Sequence, residues 1–425
     1  MTAALLVLWA VVLGNAVTFA GRLHWPHAVA STDFSSYVTG WWMILHGQAR
    51  LLYDQAAQTA AQRVVMGGAP FDDGLMAFLY PPYVAVGGLP LGMVADSFGE
   101  PAAYTIWTLA NLAFAARLAW LSVDELRAEG RARLLVWLWV FAFFPVLSNL
   151  VLGQLSLPLA VAAFELFRAV RAGRATRAAL CLAVLAIKPQ LLPAVVLWLI
   201  ARRAWPALRR GAAAGAVLAV VPLVALGPHV WGDYFRHVHT LERFFAPGLP
   251  LNMVNVRGLL LRVAPAAEPR IDLIAYALWA LSLAFLAFVL ARRRRDRNDS
   301  SDPEGRETYA LTIAVALLGN PHLFNQEVTL AVVPFALHLA WLRARGLPWR
   351  GFARFVLAWP PLYVVARWCR LTATADAPVR TPVDPVLVGL VLLLLGMLQT
   401  IRARGQSTPP SGDGGAPPSG GSSSR

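Results

Sequence analysis

The chain reads as an all-α polytopic membrane protein of about 11–12 transmembrane helices, and three observations carry the membrane class. Of its 425 residues 58% are hydrophobic and 14% charged, whereas soluble domains carry about 25% charged residues. Mean hydropathy is +0.56. Apolar runs long enough to cross a bilayer recur along nearly the whole length. The formal net charge of +14 does not point to nucleic acid. Its basic residues gather in short connectors between apolar runs, which is how orientation is encoded in a membrane protein. Cys181 and Cys369 lie in or beside such runs, so no disulfide framework is expected.

The first apolar run, 3–20, lacks a charged start and a cleavage site and is expected to stay as a helix. The loop 21–101 follows, with three Arg and six acids. Within it, Phe34, Tyr37, Trp41 and Leu45 share one face of a helix over 33–45, the pattern of a helix lying in the membrane interface. Asp54 is placed to cap a second helix, 55–66. The stretch "FLYPPYVAVGGLPLGMVA" (78–95) is apolar, but Pro81, Pro82, Pro90 and three Gly make it a broken helix in the outer leaflet rather than a span. Spans are expected near 102–121, 134–151 and 154–170. In "AALCLAVLAIKPQLLPAVVLWLIA" (178–201) arginines flank both ends, so the chain climbs over 178–188, turns at Lys188–Pro189 and descends over 189–201. Further spans follow at 211–228, 271–291, 309–321, 326–342, 351–369 and 383–400.

Placing the Arg-rich connectors 168–177, 202–210, 292–297 and 343–354 in the cytoplasm puts both termini inside and leaves 21–101, 229–270 and 370–382 outside. The membrane domain is thus 1–400 in a cell (inner or plasma) membrane, and 401–425 is a Pro/Gly/Ser tail expected to be disordered and cytoplasmic.

Asp33 sits at the membrane lip, where a general base meets a hydrophilic acceptor and a lipid-borne donor at once. Its local alternative is a helix N-cap. Lys188 is the single lysine among 37 Lys and Arg residues. An ammonium in mid-membrane costs about 2.5–3.5 kcal/mol and usually faces a cavity and an anionic partner. The alternative, snorkelling to the surface, is disfavoured by its place mid-run beside Pro189, and its compact charge suits a phosphate. "GNPHLFNQE" (319–327) gathers Asn320, His322 and Glu327 in one turn, either a plain polar turn or a phosphate- or sugar-binding one. Gln154, in "NLVLGQLSL", makes a similar turn, read either as structural or as a contact to sugar hydroxyls. Arg257 is a second phosphate contact or an ordinary interface arginine. Asp233 and His237 share a helical face without a third ligand, so no metal is expected. No Walker-type or other phosphate-cradling loop signals a nucleotide donor.

The stretches "DFSSYVTGWWMILHGQARLLYD", "FLYPPYVAVGGLPLG", "NLVLGQLSL", "AIKPQLLPAVVLWLIARRAW" and "GNPH" together resemble, in order and spacing, glycosyltransferase family 87 of the GT-C superfamily. The resemblance implies an inverting transfer from a polyprenyl-phosphate sugar, usually mannose and in some members arabinofuranose. The acceptor would be an envelope glycolipid or glycan at the outer face. It also implies Asp33 as base and Lys188 and His322 on the donor phosphate. Beside these, Arg257 is expected as a further phosphate contact, and Tyr37, Tyr80, Gln154, Asn320 and Glu327 as substrate contacts. No cofactor is implied, because a lipid phosphate leaves without a nucleotide-bound metal. The segment "LFNQE" departs from the family's usual Ser- and Tyr-containing continuation, which leaves acceptor and sugar open. A lipid-linked-sugar flippase or transporter is the alternative class.

Overall fold

The computed structural model describes residues 2–23, 29, 32–68, 76–241, 253–264, 268–295, 305–368 and 384–405. Among them every regular element is helical. α1 (Thr2–Leu23) packs on the bundle through Leu8 and leaves Leu6, Leu13 and Val17 exposed. Four helices then precede the next long one: α2 (Phe34–Leu45), α3 (Gln55–Val65), α4 (Pro82–Gly87) and α5 (Leu89–Phe98). α6 (Glu100–Leu126) is long and apolar enough to cross a membrane. α7 (Gly130–Ala142) and α8 (Phe144–Leu152) meet at a 49° bend, where Pro145 removes a ladder donor. α9 (Ser156–Arg171), α10 (Ala175–Leu185) and α11 (Leu192–Ala201) follow, then the long α12 (Trp205–Leu226) and the shorter α13 (Val230–Leu241) and α14 (Val256–Val263). The last group is α15 (Glu268–Arg295), α16 (Arg306–Leu318), α17 (Val332–Ala344) entered through a 3-10 turn over Asn325–Ala331, α18 (Arg350–Trp368) and α19 (Pro385–Gly405).

Each of the twelve apolar runs is therefore helical, and the turn at Lys188–Pro189 falls between α10 and a 3-10 turn leading into α11. Five of the described helical segments are long and apolar enough to span, or six if the bent α7–α8 pair is one. The 175–185, 189–201 and 386–399 segments are apolar but shorter, so the predicted 11–12 spans include several that do not reach across singly. The helix over 82–98 breaks at Gly88, as its prolines and glycines predict. α19 runs to Gly405; 406–425, 370–382 and Cys369 lie outside the described residues. Cys181 is buried and free.

Two apolar cores organise the molecule. The larger, around Phe164, Phe167, Trp198, Tyr309, Phe335 and Trp359, binds the bundle. The smaller, around Phe34, Trp41, Leu52, Tyr53, Phe78 and Tyr104, lies among α2, α3, the 76–80 strand-like stretch and α6. Ile187 packs on both, so the residue next to it, Lys188, stands at their seam.

α2 is covered on more than its apolar face. Phe34, Tyr37 and Trp41 are buried as expected, but Ser35, Ser36 and Thr39 on the other side are buried as well, while Leu45 is exposed. α3 covers that second side. The polar side chains remain satisfied: Ser35 Oγ donates to Thr32 O at 2.8 Å and Thr39 Oγ1 to Ser35 O at 2.8 Å. On α3, capped by Asp54 Oδ1 accepting from Ala57 N at 2.8 Å, two buried glutamines four residues apart act as a backbone edge. Gln58 accepts from Phe78 N (2.8 Å) and donates to Leu52 O (2.7 Å); Gln62 accepts from Met76 N (3.0 Å) and donates to Met76 O (3.1 Å). They hold the extended 76–80 stretch and so place Tyr80, whose carbonyl accepts from Tyr53 Oη at 2.8 Å.

Where α4 meets α5, a Cβ on Gly88 would collide with the Trp41 indole, and one on Gly92 would stand 2.5 Å from Trp41 Cβ. Gly88→Ala is expected to lower stability by about 1–3 kcal/mol through overpacking. A thermal melt in detergent checks this; an unchanged melting temperature would show that the indole can yield.

Candidate active site

Asp33 begins α2, yet its side chain makes no capping bond. Its Oδ2 accepts instead from Gln154 Nε2, across 121 residues of sequence. Gln154 is placed by the turn that ends α8. Gly153 has φ +66, a conformation that favours glycine, and a Cβ there would lie 2.7 Å from Phe34 Cβ. Gln154 N donates to Asn149 O (3.0 Å), and Trp107 Nε1 donates to Gly153 O (2.7 Å). The amide oxygen of Gln154 accepts from Tyr80 Oη at 3.1 Å, and Tyr80 Oη accepts from Tyr37 Oη at 2.7 Å. Burial raises both phenols above their ordinary range, so both keep their protons at neutral pH.

Lys188, buried in the connection between α10 and the 3-10 turn leading into α11, pairs with Glu327. Glu327 is buried in the 3-10 turn and uses its other oxygen, Oε2, to accept from Phe324 N at 2.9 Å. Asn149, unremarked in the sequence, ties that turn to α8 by donating to Gln326 O (2.7 Å) and Thr329 Oγ1 (2.8 Å). The charges of Lys188 and Glu327 both act on Asp33. Burial pushes the Asp33 carboxyl above the ordinary carboxylate range; the Gln154 hydrogen bond and Lys188 oppose the rise, and Glu327 adds to it. Asp33, Tyr37, Tyr80, Gln154, Lys188 and Glu327 thus form one cluster.

Arg257 of α14 forms a second with Asn320 and His322, which lie on the same 319–331 turn as Glu327. Asn320 Oδ1 accepts from His322 N (2.9 Å), and Asn320 O accepts from Asn255 Nδ2 (2.8 Å). Arg257 Nη1 lies 3.3 Å from His322 Nδ1, and Tyr276 Oη lies 3.0 Å from Nε2. Arg257 has no acceptor, so Nδ1 accepts from it and Nε2–H donates to Tyr276. Arg257 is also paired with Asp272 at 2.6 Å. Asp272 and Tyr276 were not singled out in sequence; an acid in the first turns of an apolar run was the available signal. Asp233 meets Arg236, with His229 at 3.7 Å, and His237 packs on Tyr53. Among the described residues no group of three or more His, Cys, Asp or Glu is arranged to hold a metal.

The family model described as glycosyltransferase family 87 matches residues 78–321, more than half of the chain. The chain belongs to glycosyltransferase family 87. Comparison with curated proteins and with solved structures finds no match. Within this family 87 glycosyltransferase the matched range takes in Tyr80, Gln154, Lys188, Arg257 and Asn320. Asp33, Tyr37, His322 and Glu327 fall outside it and join the site through the contacts above. As a family 87 member the protein is a membrane-embedded transferase with a sugar donor and an acceptor as substrates.

Proposed function

We propose that this glycosyltransferase moves a sugar, with inversion, from a polyprenyl phosphate to an envelope glycolipid or glycan at the outer face of the membrane, mannose being the first donor to test. Asp33 takes the proton of the acceptor hydroxyl as that oxygen bonds to the anomeric carbon. The bond from that carbon to the phosphate oxygen breaks, and the lipid phosphate leaves with the electron pair. Lys188, Arg257 and His322 stabilise the charge that grows on it, in a site with little water where fixed charges act strongly.

One observation carries the reading. The acid that opens α2 forgoes the capping bond its position offers and turns into a polar cluster holding a buried lysine. The test is transfer of radiolabelled mannose from polyprenyl-phosphate mannose to a membrane lipid extract by the purified protein in EDTA, with the arabinofuranosyl donor as a second arm. A product whose anomeric configuration is opposite to the donor's supports the reading. Retention of configuration, or no transfer from either donor, overturns it.

The raised Asp33 carboxyl sets a pH dependence. A base must be ionised, so below its raised pKa the rate falls, and the rate climbs as pH increases through it. The acid limb of kcat/KM is expected above the ordinary aspartate value of about 3.9. A profile over roughly pH 4–8 checks this; a flat profile across that window would remove Asp33 from the rate.

A further inference from the structure

The base has a keeper. An ionised carboxylate only accepts, so the Gln154 amide must present its N–H to Asp33 and its oxygen to the other side. The group meeting that oxygen, Tyr80 Oη, must then donate, which leaves its own oxygen to accept from Tyr37. Each donor therefore has one permitted direction, and the row runs Tyr37, Tyr80, Gln154, Asp33. Its anchors are stiff. Gln154 follows the left-handed Gly153 under Trp107, and Tyr80 follows the stretch held by Gln58 and Gln62. Gln154 is buried, with both ends of its amide engaged by protein. Among the described residues it is the hydrogen-bond partner of the Asp33 carboxyl.

We propose that Gln154 is the positioning residue of the catalytic base. Through the Tyr37–Tyr80–Gln154 row it clamps Oδ2 of Asp33 and leaves Oδ1 as the oxygen that takes the acceptor's proton. This rests on Asp33 being the base, and it differs from a role for Gln154 as a contact to the sugar.

The test has a readout that needs no substrate. Infrared difference spectra of the purified protein, wild type minus Asp33→Asn, isolate the protonated-carboxyl band of Asp33, which is then titrated with pH in wild type and in Gln154→Leu. The groups facing that carboxyl, Lys188, Glu327, Tyr37 and Tyr80, are the same in both proteins. Losing a hydrogen bond to the ionised form is expected to move the midpoint up by about one to two units. In the mannosyl-transfer assay kcat should fall about 10–100-fold with the acceptor KM little changed. An unmoved midpoint, with the loss confined to the acceptor KM, would make Gln154 a sugar contact and overturn the proposal. Tyr80→Phe, which frees the amide to rotate, should move the midpoint in the same direction by less. If Gln154→Leu does not fold, an unmoved midpoint in Tyr80→Phe overturns the proposal instead. Wild-type turnover in Asp33→Asn would sink the base assignment itself, an outcome separate from any result on Gln154.

Discussion

Asp33→Asn is expected to lower kcat by about 10²–10⁴-fold while the protein folds as before. The expectation of intact folding has a structural reason. The Asp33 side chain does not cap α2, so its replacement costs the helix no capping bond. The asparagine oxygen can still accept from Gln154 Nε2, which keeps the Tyr37–Tyr80–Gln154 row in place. What is lost is basicity alone, since an amide cannot take up the acceptor's proton at neutral pH. Donor affinity should stay near the wild-type value. Single-turnover transfer, with a binding measurement on labelled donor, separates the two quantities. Turnover at the wild-type level in this variant would refute a general-base role for Asp33, and a parallel loss of donor binding would make it a binding residue.

Lys188→Met should have two effects of different origin. The first falls on stability. Glu327 is buried, and its Oε1 loses the cation that balances it. Removing one partner of a buried pair costs about 3–5 kcal/mol, because the remaining charge keeps its desolvation penalty. The second falls on the donor, whose phosphate loses its compact cation. The double variant Lys188→Met/Glu327→Gln tells them apart: it should recover most of the melting temperature without recovering donor binding. Recovery of both would show that Lys188 serves the fold alone. In the free enzyme Glu327 already occupies Lys188, so an arriving phosphate must compete with that carboxylate.

Helix positions were legible because apolar runs, Pro and Gly act locally. The break between α10 and α11 falls at the Lys188–Pro189 step, and the break at Gly88 followed from composition. The pairings were not legible. Lys188 and Glu327 are 139 residues apart, and Asn149 and Thr329 180 apart; no local pattern encodes such a partnership. The burial of the polar side of α2 was not legible for a related reason. One apolar face leaves the other open only if nothing covers it, and α3, with its buried Gln58 and Gln62, carries the cover. Asp33 could be singled out by its place in the loop beyond the first apolar run, whereas the turn of its side chain away from the cap toward Gln154 depends on a glycine 120 positions later.

The solitary status of Lys188 has a practical consequence. Isotope enrichment of lysine alone would put one labelled side chain in the entire chain, at the seam of the two cores and against Glu327. Its magnetic resonance spectrum would hold a single side-chain ammonium signal that requires no assignment. Under the proposed function, that signal would follow the exchange of a carboxylate partner for a phosphate in real time.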